Sequence, residues 1–309
     1  MQKTTIMSVA LALIAGVIGS ASLQNISPHH DASPEAIDRV ICMSPAVTEI
    51  VFALGQGDRV VGISQYVTYP PEALDIPTCG GFFNPNFEQV MALEPDLVLS
   101  QGLSESVNEF CSDRGINFHS VELSDLESVF AAIREIGDEL GTPGKAAELC
   151  DSLREQLRDI ARKTRNRPRP EVLLIIGRDS GTLRNLSTAG RGSFLHDILK
   201  IAGGKNIFAD IEKNYSSVGK EAVTSRSPEV IIELHGEGMF DNKRKARIRE
   251  TWSELSSIRA VKTGRIYAIG ATYALLPGPR LTKIARRFAE FLHPSIMERS
   301  THATGDVGQ

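Results

Sequence analysis

Tryptophan is nearly missing from this chain: Trp252 is the only one in 309 residues. A ligand site built from several tryptophans is therefore excluded. A basic excess is also missing, since the formal net charge is -4, which argues against a nucleic-acid binder. The four cysteines contain no C-x-x-C spacing, so neither a zinc knuckle nor a dithiol redox centre is indicated. There is no G-x-S-x-G elbow, no phosphate-loop lysine, and no G-x-G-x-x-G after a strand, and with them go the common hydrolase, nucleotide and dinucleotide signatures. Gly203-Gly204 reads as a helix stop. Beyond the N-terminus no stretch is apolar enough to cross a bilayer, which needs about 20 residues.

The N-terminus itself is informative. Lys3 precedes an apolar run from Ile6 to Ile18, followed by Gly19, Ser20 and Ala21. This is the three-part layout of a secretory signal, with a cut expected after Ala21; an uncleaved anchor helix is the alternative. No Cys follows the small residues, so a lipid anchor at that point is not expected. In an oxidising compartment Cys42, Cys79, Cys111 and Cys150 permit two disulfides in three pairings, and plain buried thiols are the other reading.

After a lead rich in Ser, Pro and His, short β-rich runs alternate with helical patterns, as in parallel-sheet α/β domains. The first series reads as strands Val40–Met43, Val60–Ser64, Leu97–Leu99 and Asn117–Val121, with helices Pro45–Leu54, Phe87–Leu93, Ser104–Arg114 and Leu126–Leu140. Ser44 is a cap with Pro45 at the first helical position, and Gly55 is a stop. Between Gly144 and about Arg165 neither Gly nor Pro interrupts, and Ala147, Leu149, Leu153, Leu157 and Ile160 lie on a broad apolar face. That is one helix of about 33 Å. Strand Glu171–Ile176 then opens a second series.

The second series repeats the first. Ser44 and Gly55 are eleven residues apart, as are Ser193 and Gly204; Glu88 and Pro95 are seven apart, as are Glu221 and Pro228; Phe82 and Tyr215 each stand six before the Glu. The pattern predicts an α/β fold of two Rossmann-like lobes with parallel sheets, joined by one long rigid α-helix. Ligands of open α/β sheets bind beyond the carboxyl ends of the strands, so facing lobes make a cleft, and a stiff connector limits its opening. Tyr66, Phe82, Phe83, Tyr215 and Tyr273 fall in expected loops at strand ends, with flat faces suited to a macrocycle or catecholate. Arg178, Arg184 and Arg191 fall in the loop region opening the second lobe, where an arginine can pair with a carboxylate or phosphate. His235 and Glu237 follow strand Val230–Leu234 within reach of a metal, although two ligands do not make a zinc site. The basic run Lys243–Arg249 reads as a solvated helical face.

The runs SPAVTEIVFALG from Ser44, GISQYVTYPP from Gly62, NFEQVMALEPDLVL from Asn86, VKTGRIY from Val261, PGPRL from Pro277 and the pair His293-Pro294 closely resemble the helical-backbone (class III) periplasmic binding proteins. The likeness spans roughly 38–294. That family serves importers of cobalamin, ferric siderophores and haem. Within it, the first lobe is most similar to the cobalamin-binding branch, which places Tyr66 and Phe82 on the cleft wall. Gln101 and Tyr215 stand where that branch has tryptophans, and Thr272 and Leu276 replace its charged residues before Pro277. The resemblance also makes Glu88 and Glu221 an acidic pair, one on each lobe, for arginines of a membrane permease; a carboxylate in a helix's first turn is favourable on its own account.

The expected organisation is a signal peptide (1–21), flexible lead (22–37), N-terminal lobe (38–142), backbone helix (143–168), C-terminal lobe (169–295) and disordered tail (296–309). The resemblance implies a monomeric periplasmic binding protein without catalytic residues, resident metal or cofactor. It would carry a corrinoid or ferric chelate to an ABC permease. An exported α/β enzyme or a ligand sensor using the same cleft is the alternative.

Overall fold

In the computed structural model the described residues are 37–81, 83–236 and 240–294. The expected signal peptide and tail, the lead up to Ala36, Phe82 and Glu237 lie outside them.

The first sheet has the order β2-β1-β3-β4 and is parallel throughout. Its strands are β1 (Val40–Cys42), β2 (Val60–Ile63), β3 (Leu97–Gln101) and β4 (Asn117–Val121). A strand covered on both faces needs no alternation, and Val40, Ile41 and Cys42 are all buried. Helix α1 (Pro45–Ala53) begins as the sequence dictates: Ser44 Oγ accepts from Val47 N at 3.2 Å, with Pro45 at the first position. Gly55 follows at φ +67°, a conformation that favours glycine. The remaining helices of this lobe are α2 (Phe87–Ala92), α3 (Glu105–Ser112) and α4 (Leu126–Glu139), the last held by a capping box between Asp125 and Ser128.

Helix α5 (Pro143–Thr164, 22 residues) is the connector, about 33 Å long. Its buried seam is Ala146, Cys150, Leu153, Leu157, Ile160 and Thr164, at alternating steps of four and three. The sequence pattern put Ala147 and Leu149 on this face. Ala147 is exposed and Leu149 only half-buried, because Cys150 packs as a small apolar residue and rotates the seam. Gly137 of α4 lies so close that a Cβ there would sit 2.4 Å from Ala146 Cβ, so glycine sets the distance between α4 and α5.

The second sheet has the order β10-β9-β5-β6-β8, with β7 beside β5. Its strands are β5 (Glu171–Gly177), β6 (Leu186–Ala189), β7 (Lys205–Asn206), β8 (Tyr215–Val218), β9 (Val230–His235) and β10 (Ile266–Gly270). It is mixed rather than wholly parallel: β7, β9 and β10 continue the parallel plan, but β6 runs antiparallel to β5 and β8 antiparallel to β6. The loop 178–185 is too short for a crossover, which takes a dozen or more residues, so the chain turns back as a hairpin. Helices α6 (Phe194–Ile201), α7 (Lys220–Arg226), α8 (Asn242–Trp252), α9 (Arg259–Lys262) and α10 (Leu281–Leu292) complete the lobe.

One buried apolar cluster runs through both lobes, taking residues from β1, β3, α4, α5, β5, β9 and α10. The lobes thus share a core through α5 and α10, and separating them would expose apolar surface at about 25 cal/mol per Å².

Candidate ligand cleft

The chain leaving β2 turns at Ser64, whose Oγ accepts from Tyr66 N at 3.4 Å. Tyr66 is 60% exposed, and its ring lies on the main chain of Gly81, where a Cβ would come 2.6 Å from Tyr66 Cε2. Gly81 and Asn84 exchange backbone hydrogen bonds at 3.2 Å each way, closing a tight turn from which Phe83 projects 94% exposed. Leu103, just beyond β3, is likewise largely exposed. Tyr66, Phe83 and Leu103 are thus large apolar side chains left open on the loops that follow β2 and β3. Leu103 was not singled out in the sequence; its signal was a large apolar residue directly after the strand and Gly102.

On the second lobe, three donors converge on one carboxylate. Glu233 of β9 is 0% exposed. Its Oε1 accepts from Arg178 Nε at 2.8 Å and from Trp252 Nε1 at 2.5 Å, and its Oε2 lies 3.0 Å from His235 Nε2. Burial alone pushes the Glu233 carboxyl upward, but the bonds from His235, Arg178 and Trp252 outweigh it and hold the group below its ordinary value. Arg178 also donates through Nη1 to the carbonyls of Asp179 and Thr182, at 3.2 and 3.1 Å. Its guanidinium is thus engaged inside the protein, tying the 178–185 loop to β9. Arg184 pairs with Asp179 and Arg191 with Glu212, both at the surface.

Tyr215 opens the edge strand β8 rather than lying in a loop. It is 42% exposed, yet the protein mass around its hydroxyl pushes its pKa up to about 12. The phenol therefore stays neutral. Tyr273 is half-buried against the shared core, with the Arg280 guanidinium 5.3 Å and the Lys283 ammonium 5.8 Å from its ring centroid.

Two sets of bonds cross between the lobes. Arg280, before α10, donates to Glu49 of α1 through Nε at 2.8 Å and Nη2 at 2.5 Å, and lies 3.9 Å above the ring of Tyr69. Leu126 N donates to Asp197 Oδ2 at 3.1 Å, and Phe194 N to Ser124 O at 2.7 Å. Glu88 and Glu221 stand exposed in the first turns of α2 and α7, and neither is ion-paired among the described residues.

All four cysteines are free and buried, which meets the plain-thiol reading. Burial pushes the Cys42 thiol up to about 12 and those of Cys79 and Cys111 up to about 11, so they are unreactive. Among the described residues no three His, Cys, Asp or Glu side chains converge as a metal site, and no helix is long and apolar enough to cross a membrane.

Two α/β lobes joined by one long helix and a shared core, with open aromatics in the first and a buried polar cluster in the second, are the architecture of a solute-binding protein. The match to known proteins is specific: residues 40–273 fit the family described as periplasmic binding protein, and the chain belongs to it. It is 31% identical over 269 residues to an uncharacterized ABC transporter substrate-binding lipoprotein of Bacillus subtilis, covering 84% of this chain and 81% of that one. It is 31% identical over 229 residues to a vitamin B12-binding protein of Salmonella paratyphi A, covering 73% and 81%. Among solved structures, a periplasmic heme-binding protein of Pseudomonas aeruginosa superposes with a TM-score of 0.71 at 26% identity, over 84% of this chain and 94% of that one. The family and these relatives are binding proteins for transport, not enzymes.

Proposed function

We propose that this chain captures a metal-containing ligand, a corrinoid or ferric chelate, in the cleft between its lobes and delivers it to an ABC permease outside the cytoplasm. The observation that carries this reading is the pair of open aromatics, Tyr66 and Phe83, on loops at the rim of the first lobe. A soluble protein that spends such surface on solvent gains nothing unless a ligand covers it. Tyr215 is the matching aromatic of the second lobe; Phe82 and Tyr273 complete the proposed wall. Arg178 serves that wall through the loop it holds. The vitamin B12-binding relatives and heme-binding structures support a flat metal macrocycle as ligand.

Glu88 and Glu221 are the proposed docking pair for permease arginines, in matched places on the two lobes and free to pair with a partner. Export through a signal cleaved after Ala21, the division at 142/143 and 168/169, and action as a monomer belong to the same proposal.

Calorimetric titration of the purified protein with cyanocobalamin, haemin and a set of ferric siderophores tests it. One-to-one binding of one of them, weakened by Tyr66→Ala, is expected. Silence across the whole set would overturn the ligand assignment.

A further inference from the structure

Capture and docking leave one charged hollow of the molecule without a role. Where α5 and α6 both end, a pocket of about 460 Å³ opens to solvent, within the range of small-molecule sites, roughly 300–1,000 Å³. Its charged lining has one sign: Arg158, Arg162, Arg165, Arg169 and Lys200, with no Asp or Glu among the described residues that line it. The chain as a whole carries a formal net charge of -4, so these cations run against the overall balance. Arg162 pairs with Glu155 and Asp159, and Arg158 with Glu155, along α5. Arg165 and Lys200 are exposed and make no ion pair among the described residues. Cations are favourable at helix carboxyl ends on their own account. Here, however, carbonyls of both ends already have donors from the protein. Thr164 O accepts from Arg167 N at 3.1 Å, Ile201 O from Thr164 Oγ1 at 3.0 Å, and Lys200 O from both Gly203 N at 3.2 Å and Arg169 Nη2. The charges of Arg165 and Lys200 are left over on the pocket wall.

We infer that this pocket binds a multiply charged phosphate group, at a site separate from the ligand cleft and independent of what the cleft captures. A single exposed ion pair contributes little, so a singly charged anion gains little here. A phosphate dianion presents several oxygens in a tetrahedral array and accepts guanidinium forks from more than one direction, whereas a planar carboxylate takes one. Ala161 and Gly203 in the lining leave room for the rest of a phosphate ester. An anionic lipid headgroup and a soluble oligophosphate share this chemistry. The position sets the site apart: Arg169 stands two residues before β5, and β5, β9 and β10 are parallel. The pocket therefore lies at the amino ends of these strands, while ligands of such sheets bind at the carboxyl ends. The seven residues of β5 separate the two ends by about 20 Å.

The probe is inorganic pyrophosphate, titrated calorimetrically into the purified protein at low salt, beside sedimentation with vesicles of phosphatidylglycerol or of phosphatidylcholine. One-to-one pyrophosphate binding is expected. It should weaken at least tenfold in the double variant Arg165→Gln, Lys200→Gln and stay unchanged in Lys243→Gln, Arg247→Gln, which neutralises part of the basic helix α8 instead. Sedimentation with phosphatidylglycerol vesicles that pyrophosphate reverses identifies a lipid headgroup as the source of the phosphate. Pyrophosphate binding without sedimentation identifies a soluble phosphate compound. The inference is overturned if pyrophosphate does not bind, if both double variants lose binding equally, or if Arg165→Gln, Lys200→Gln binds as the wild type does. Should that variant not fold, amide NMR of the wild-type protein decides: shifts on adding pyrophosphate are expected at Arg169 and Gly203, and shifts confined to other segments overturn the inference.

Discussion

The guanidinium of Arg280 meets the carboxylate of Glu49 in a two-point contact, at 2.8 Å and 2.5 Å, across 231 residues of chain. Both side chains are largely buried, and the pair joins the start of α10 to the middle of α1. Paired two-point geometry is what arginine provides and lysine does not. The contact ties one lobe to the other beside the connector, with Tyr69 beneath the guanidinium.

Removing one partner is therefore costly. Arg280→Ala leaves a buried carboxylate and is expected to lower unfolding stability by about 3–5 kcal/mol. The double replacement Glu49→Leu with Arg280→Met is expected to lose much less. Urea denaturation of the three proteins measures this; equal losses in single and double variants would contradict the pairing.

The two buried carboxylates respond oppositely to pH. For Glu49, burial outweighs the bonds from Arg280 and raises the pKa, so its contribution to stability is fullest at low pH and is lost as pH rises above the ordinary carboxylate value. For Glu233 the bonds outweigh burial and the pKa is lowered. Its contribution is present above the ordinary value and is lost as pH falls below it. Glu233→Gln is thus expected to soften the acid-side decline of stability, and Glu49→Gln to lessen the decline above the ordinary carboxylate value, read by denaturant titration at several pH values.

Charge reversal at the docking pair separates delivery from capture. Glu88→Lys and Glu221→Lys are each expected to slow association with the permease and reverse its salt dependence, since rim charges act mainly on encounter rates. Ligand affinity is expected to stay unchanged. Surface-immobilised permease in nanodiscs provides the measurement, and a change in ligand affinity would move these residues into the cleft.

The aromatic rim is expected to carry most of the binding energy. Tyr66→Ala and Phe83→Ala should each weaken ligand binding by about 2 kcal/mol, the usual cost of truncating a central aromatic anchor, or roughly thirtyfold. Tyr66→Phe should cost far less, because the flat face rather than the hydroxyl makes the contact. Titration calorimetry distinguishes the two outcomes.

Legibility in the sequence followed the range of each cause. Ser44, Pro45 and Gly55 fix α1 locally, and the absence of Gly and Pro within 145–165 announces α5; both helices lie where those residues put them. The α5 seam runs through Cys150, a small apolar residue that the Leu and Ile spacing alone does not reveal. The antiparallel β6 and β8 leave little trace in the strand pattern, because a hairpin and a crossover begin alike and only the loop length separates them. Arg178 was readable as a loop arginine, but its partner Glu233 lies 55 residues on, and that partner turns it inward. Arg280 stood in the quoted motif PGPRL, yet nothing local points to Glu49. Pairings set by tertiary approach leave no periodic trace.

The central claim, capture of a coloured metal ligand between the lobes, is tested most directly by the fluorescence of Trp252. It is the only tryptophan in the chain, is fully buried, and bonds Glu233 of β9. Titration with haemin, aquacobalamin or a ferric siderophore is expected to quench it to saturation at one ligand per chain for one of the three. The same titration of the Tyr66→Ala, Phe83→Ala double variant should require far more ligand. Linear, unsaturated quenching by every ligand, or saturation unchanged in that variant, would contradict the account.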